Sequence, residues 1–339
     1  MKGFSRCAAL FAVIVWTAVM TGCGTTPAAP AYEEEGKLEL VRVFPVESAR
    51  PVEPSGLCLY QGVLYSVSDK SDGTVYRISF GNGTARMEPH IRFDPPRGAG
   101  PMDFEGITVD DEGNFYLASE THARILRVTP EGEAQWHFGS VWEAGRAAGM
   151  FKVPNAYVEG ITIMGDGNFL LAAERQPRGL IEVDGRTGEV AQAQVMNQTR
   201  FSRRLSILRR PDWTDLYNYD GEVFALFRNA NMVVRLERDE EGNFSESDDA
   251  WGFRHVEESG EFRYDDLRYG KAEGLAIDER YFYIILDNNR RPRAVDRSDR
   301  RPLLFVFRNP LLAAAENVSV AAGDPSARES GTAVTASSR

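Results

Sequence analysis

Little of this chain's chemistry can rest on cysteine or histidine, since 339 residues contain 3 and 4 of them. Cys7 and Cys23 fall in the amino-terminal segment treated below, so Cys58 has no partner and no disulfide framework exists. Cys58 sits in the apolar run Leu57-Cys58-Leu59-Tyr60, where a free thiol behaves as a small hydrophobe. The histidines, His90, His122, His137 and His255, show no pair at zinc spacing. A Gly-x-Ser-x-Gly elbow is missing, and so is a Gly-rich phosphate loop leading into a helix. No basic stripe interrupts a chain of net charge −11, which argues against nucleic acid as a partner. Helical periodicity is nearly absent; Arg200 to Leu208 is the one short stretch that carries it.

Long apolar runs are confined to the start. Lys2 and Arg6 flank the beginning of an apolar stretch, Cys7 to Val19, that leads into Met20-Thr21-Gly22-Cys23. It is too short to span a bilayer and has the flanks of an export signal. Gly22-Cys23 resembles the bacterial lipoprotein cleavage box, with Met20 where Leu is usual; the alternative is an ordinary signal with an incidental cysteine. The lipoprotein reading predicts a signal peptide over 1–22 and a lipidated Cys23 that anchors the protein to a membrane. A flexible tether follows over 23–37, rich in Pro, Ala and Glu. Gly24 is not the Asp that marks inner-membrane retention, so the expected place is the outer membrane, facing the periplasm. The tail 311–339, rich in Ala, Ser, Gly and Thr, reads as disordered.

What the chain does have is a repeat. Asp103-Phe104-Glu105-Gly106-Ile107 opens a short strand, a Gly-containing turn follows, and a second strand ends at Ser119-Glu120. The same unit runs from Glu159 to Glu174, from Glu273 to Asp287, and, with Ser in place of the first Glu, from Ser55 to Asp69. In chain order these spans are 14, 15, 15 and 14 residues. Aligned on the ends of their second strands, the units fall at 69, 120, 174, 228 and 287, in steps of 51, 54, 54 and 59 residues. Four strands per unit at that period is the pattern of an all-β propeller. The first unit is expected to end with a strand at Glu88–Phe93, and the fourth with one at Trp251–Glu257.

The fifth unit lacks a fourth strand, whereas Leu38–Val46 is a spare strand at the other end of the chain. Pairing the two closes the ring and removes an open sheet edge. The reading is therefore a propeller over 38–310 with five four-stranded blades, closed by an amino-terminal strand. A sixth blade stays open if Arg200–Pro211 or Gly242–Asp266 hides strands.

In a propeller blade the first strand lines the channel and the second runs antiparallel to it. The start of one and the end of the other therefore share a face. This puts Glu105, Glu120, Glu159, Glu174, Glu273 and Asp287 around one mouth, with Ser55 and Asp69 in the corresponding places. Such carboxylates repel one another unless a cation, protons, basic partners or backbone amides compensate them.

These motifs resemble the bacterial phytase-like family ("esterase-like activity of phytase") across nearly all of Pro54 to Phe307. The matching pieces are Ser55-Gly56-Leu57 to Ser68-Asp69, Phe104-Glu105-Gly106-Ile107 to Ser119-Glu120, and Val158-Glu159-Gly160-Ile161 to Glu174-Arg175. Thr214-Asp215-Leu216 leads to Phe227-Arg228, with Phe227 where a Glu is expected, and Ala272-Glu273-Gly274-Leu275 leads to Asp287-Asn288-Asn289. A related propeller group, the SdiA-regulated family, shares the first two motifs. The phytase-like resemblance implies hydrolysis of an ester or phosphate ester. The Asp-rich signatures of alkaline propeller phytases are missing, so it does not extend to phytate.

Clustered carboxylates and amide carbonyls suit Ca²⁺, which takes six to eight oxygen ligands. The expected ligand set is Glu105, Glu159, Glu273, Asp287 and Asn288, with Asp103 and Asp69 in reserve. The alternative is that the glutamates accept backbone N–H bonds and only fix the ring. Lys70, Arg124, Arg175, Arg228 and Arg290 stand near the second-strand ends and can hold a phosphate or carboxylate of a ligand, or simply pair with the neighbouring acids. Glu120, Glu174 and His122 are the candidate acid–base groups; a histidine in a turn can also be merely solvated. Three readings follow: a Ca²⁺-dependent esterase or phosphoesterase, a Ca²⁺-stabilised module that binds an envelope ligand or protein without turnover, and a structural envelope protein.

Overall fold

The computed structural model describes residues 36–266 and 268–312. The expected signal segment, Cys23, nearly all of the tether and the expected tail after Leu312 lie outside the described residues.

A two-residue strand, β1 (Gly36–Lys37), precedes β2 (Leu40–Ser48). A first sheet follows as β3 (Pro54–Tyr60), β4 (Val63–Ser68), β5 (Thr74–Gly81) and β6 (Thr84–Arg92). The second is β7 (Phe104–Val109), β8 (Phe115–Ser119), β9 (Arg124–Val128) and β10 (Ala134–Trp136), followed by helix α1 (Trp142–Ala148). The third is β11 (Val158–Ile163), β12 (Phe169–Ala173), β13 (Gly179–Val183) and β14 (Val190–Val195). The fourth is β15 (Asp215–Tyr219), β16 (Glu222–Phe227), β17 (Met232–Arg238) and β18 (Phe244–Gly252), with a helical turn α2 (Arg254–Glu257) after it. Last come β19 (Ala272–Ile277), β20 (Tyr281–Leu286) and β21 (Leu303–Arg308).

Within each group, successive strands pair antiparallel. The burial gradient across a sheet explains its residue pattern. Second strands such as Phe115–Ser119 and Phe169–Ala173 are buried at every position and read as unbroken apolar runs. Outer strands such as Val190–Val195 have far less apolar cover and carry polar residues at alternate positions. β2 pairs antiparallel with β21, from Leu40 opposite Phe307 to Pro45 opposite Leu303. Its last residues, Val46 to Ser48, pair in parallel with Ala85 to Met87 of β6, so the last and first sheets run together as eight strands.

Four local expectations are corrected. The outer strand of the fourth sheet is Phe244–Gly252, not Trp251–Glu257; its charged outward residues hid the alternation, and residues 254–257 are helical. β6 starts at Thr84, directly after the Gly81–Thr84 hairpin turn, four residues before the expected Glu88. Arg200 to Leu208 forms only a 3-10 turn at Ser202–Arg204. Leu38 lies outside β2; its N–H donates to Gly252 O at 3.1 Å and its side chain is buried beside the fourth sheet. Helix α1 was not foreseen, since a seven-residue helix is too short to set a period.

The first strands touch one another in the order β3, β7, β11, β15, β19, and β19 touches β3. Apolar clusters fill the spaces between consecutive sheets, and one of them joins β19–β21 to the first sheet. The inner strands approach so closely that glycine is required. A Cβ on Gly106 would stand 2.4 Å from Glu159 O, and one on Gly160 would stand 2.6 Å from Asp215 Cα. In the fourth sheet Asp215 holds the position that glycine holds elsewhere. Its carboxylate accepts N–H bonds from Leu57 (3.1 Å), Leu216 (2.9 Å) and Leu275 (2.8 Å), tying three inner strands together.

Candidate functional site

The turns at the starts of β7, β11 and β19 and at the ends of β4, β8, β12, β16 and β20 open on one cavity of about 440 Å³. Its wall carries eight carboxylates: Asp69, Asp103, Glu105, Glu120, Glu159, Glu174, Glu273 and Asp287. Five cations join them: Lys70, Arg175, Arg210, Arg228 and Lys271.

Other residues singled out from the sequence stand elsewhere. His122 is outside the lining: its Nδ1 is 2.9 Å from Ser119 Oγ, its Nε2 is 2.8 Å from Ala99 O, and its ring packs on Trp136. Arg124 donates to Phe138 O and lies over Trp136. Asn288 turns inward to donate to Arg291 O and Arg300 O, and its neighbour Asn289 lines the cavity instead. Arg290 pairs with Glu53 at 2.9 Å, beyond the lining.

Arg228 answers part of the repulsion. Its Nε is 3.0 Å from Asp212, its Nη1 is 2.6 Å from Glu273, and its Nη2 reaches Glu174. Phe227, in the place where a Glu was expected, leaves that glutamate out of the fourth sheet, and the arginine that follows serves the acids of its neighbours. Burial alone would lower the guanidinium pKa, but Glu273 and Asp212 raise it above its ordinary value. Glu174 also pairs with Arg175, and Lys70 pairs with Asp69. Glu120 accepts the Tyr157 N–H at 2.9 Å.

Glu105 and Glu159 are not held by a partner in this way, although Arg228 acts on Glu159 through space. Neither carboxylate accepts a hydrogen bond or ion pair among the described residues, and Glu159 is only 7% exposed. Burial and then the neighbouring acids push both well above the usual carboxylate range, Glu159 against the pull of Arg228. Burial likewise raises Asp69 to about 6 against the pull of Lys70, and raises Glu120, Glu273 and Asp287 to about 7. One oxygen each of Asp69, Glu174 and Glu273 is buried without a hydrogen-bond partner.

Two triads result. Asp69, Asp103 and Glu105 bring oxygens within 4.8 Å of one another, and so do Glu120, Glu159 and Glu174. Carboxylate oxygens alone, several of them orphaned, are a hard donor set that fits Ca²⁺ and would suit a soft thiolate-seeking metal poorly. The ligand set expected from the sequence is thus split. Glu273 is taken by Arg228, Asn288 faces away, and Glu120 and Glu174 stand beside Glu159.

Residues missed in the sequence are Asp212, Asp215, Arg210 and Lys271. Asp212 was detectable only as an acid three residues before Asp215, which the fourth motif contains without marking it as a site residue. Lys271 precedes Glu273 by two residues, a place where Asp103 precedes Glu105 in the second sheet.

The architecture is an all-β, propeller-like stack of four-stranded antiparallel sheets with an acid-lined cavity at one end of the inner strands. Residues 55–290 match the family model described as "Phytase-like: Esterase-like activity of phytase". The chain belongs to that family. No curated protein matches it. Among solved structures, a glutaminyl cyclase from Myxococcus xanthus is similar at 14% identity and a TM-score of 0.48, over 81% of this chain and 98% of that one. A virginiamycin B lyase from Staphylococcus aureus is similar at 12% identity and a TM-score of 0.39, over 79% and 74%.

Proposed function

We propose that this is a lipid-anchored envelope propeller of five blades, closed by β2, that hydrolyses an ester or phosphate ester with Ca²⁺ at the channel mouth. The observation that carries the reading is the pair Glu105 and Glu159, two carboxylates on adjacent inner strands with no hydrogen-bond donor among the described residues. Crowding these acids together is costly, and a divalent cation held by them would relieve it. Glu105, Asp103 and Asp69 would hold it, with Glu159 as a further ligand. Bound Ca²⁺ supplies Lewis acidity toward a carbonyl or phosphoryl oxygen. Arg228 holds Glu174 and Glu273 in place, while Tyr157 N–H orients Glu120 for proton transfer.

Calorimetric titration of Ca²⁺ into EDTA-stripped protein, together with turnover of p-nitrophenyl esters and phosphates, tests this. Ca²⁺ binding that Glu159→Gln weakens at least about tenfold, with Ca²⁺-dependent turnover, supports the enzyme. Binding without turnover leaves the non-catalytic ligand-binding propeller. If wild type ignores Ca²⁺ and EDTA alike, the metal reading fails.

A further inference from the structure

We propose that Lys271 is the oxyanion-binding residue of this cavity, holding a phosphate or carboxylate group of the substrate; the proposal rests on the hydrolytic reading above. Lys271 lines the cavity and is 7% exposed, yet its ammonium makes no hydrogen bond or ion pair among the described residues. The other cations of the wall differ. Lys70, Arg175 and Arg228 are each committed to an acid of the cavity, and Arg210 is exposed at the rim.

The main chain fixes this lysine while leaving its head free. Its N–H donates to Glu257 Oε1 at 2.8 Å, and its carbonyl accepts the Asp287 N–H at 2.8 Å. Gly270, just before it, passes so close to the fourth sheet that a Cβ would stand 2.2 Å from Arg228 O. The ammonium acts on Asp266 and Asp287 through space without pairing with either, so it has donors to offer an arriving anion.

Its position complements the acid pair. Contacts between inner strands run from β3 through β7, β11 and β15 to β19 and back to β3. β19, which Lys271 leads into, is therefore two strands from β7 in one direction and two from β11 in the other. Glu105 and Glu159 stand on those two strands, across the axis. A ligand with one oxygen on a cation at the acid pair and a second anionic oxygen on Lys271 meets both sides. Lys271 offers a point charge to phosphate or carboxylate alike.

The test titrates inorganic phosphate and, separately, acetate into the full chain, with saturating Ca²⁺ and again in EDTA. One or both probes bind wild type, and Lys271→Met weakens that binding at least about tenfold while Lys271→Arg keeps most of it. Binding of phosphate alone assigns a phosphate group, and of acetate alone a carboxylate. Ca²⁺ affinity stays within about twofold of wild type in Lys271→Met, whereas Glu159→Gln loses Ca²⁺ and keeps the Lys271-dependent binding in EDTA. Failure of the metal reading is thus separable from failure of this one. Equal probe affinity for wild type and Lys271→Met in both conditions, or no binding of either probe, would overturn the proposal.

Discussion

Arg228 Nη1 donates to Glu273 Oε1 at 2.6 Å, so an arginine at the end of the fourth sheet's second strand neutralises the acid that opens the fifth. The same guanidinium serves Asp212 and Glu174, which are fully buried. Removing it leaves Glu273 without its cation and takes from Glu174 and Asp212 one partner each, Arg175 and the Asn229 N–H remaining to them. Arg228→Met is expected to cost about 3–5 kcal/mol, the range for breaking a buried ion pair from one side. Arg228→Lys rescues little, since an ammonium cannot present three donors in a fork. Urea melts of both variants check this; a Met variant as stable as wild type would show that the acids are protonated instead.

Stability in EDTA should fall as pH rises from about 4 to about 7. Glu120 and Glu273 ionise near 4.5 when free and near 7 in the fold, and Asp287 moves from 3.8 to about 7. Burial is the main cause in each. Between those limits the folded state holds more protons than the unfolded one, so raising pH favours unfolding; below both limits the penalty vanishes, and above pH 7 it is constant. The melting temperature in EDTA should drop by at least about 5 °C between pH 5 and 7.5. Saturating Ca²⁺ should flatten that drop. A melting temperature that climbs over this window in EDTA contradicts the assignment.

Asp215 should matter more for its oxygens than for its charge. Its carboxylate satisfies the N–H groups of Leu57, Leu216 and Leu275 where no water reaches. Asp215→Ala leaves all of them open and is expected to cost several kcal/mol, at about 1–3 kcal/mol for each buried donor. Asp215→Asn keeps one acceptor oxygen and should cost less. Thermal melts that rank Asn below Ala would refute this account of the inner strands.

Ring closure by β2 can be tested by deletion. Loss of residues 36–47 removes most of the strand that pairs with β21 and exposes that edge. The product is expected to be insoluble or molten, with near-ultraviolet circular dichroism lost. Loss of 313–339 should move the melting temperature by less than about 2 °C. A soluble, cooperatively melting product of the first deletion would show that β2 does not close the ring.

Anchoring is the last expectation. Wild type should partition with membranes on cell fractionation, while Cys23→Ser should be released or left unprocessed. Wild type found wholly in the soluble cytoplasmic fraction contradicts the lipoprotein reading.

Periodicity alone determined the strand-rich architecture and the side of it on which the acids gather. A first strand opening on Glu105, Glu159 or Glu273, and a second ending on Glu120, Glu174 or Asp287, repeat at near-constant spacing, and antiparallel pairing then places both ends on one face. The same motifs carried the family. What spacing does not contain is which group meets which across sheets. Arg228 reaches Glu273 over 45 residues and Glu174 over 54, and Asp215 reaches Leu57 over 158. His122 shows the converse: two residues from Glu120 in sequence, it is turned by Ser119 and Ala99 away from the cavity. Only tertiary packing decided that Glu105, Glu159 and Lys271 make no side-chain hydrogen bond or ion pair among the described residues, because which charges meet depends on neighbours supplied by other sheets.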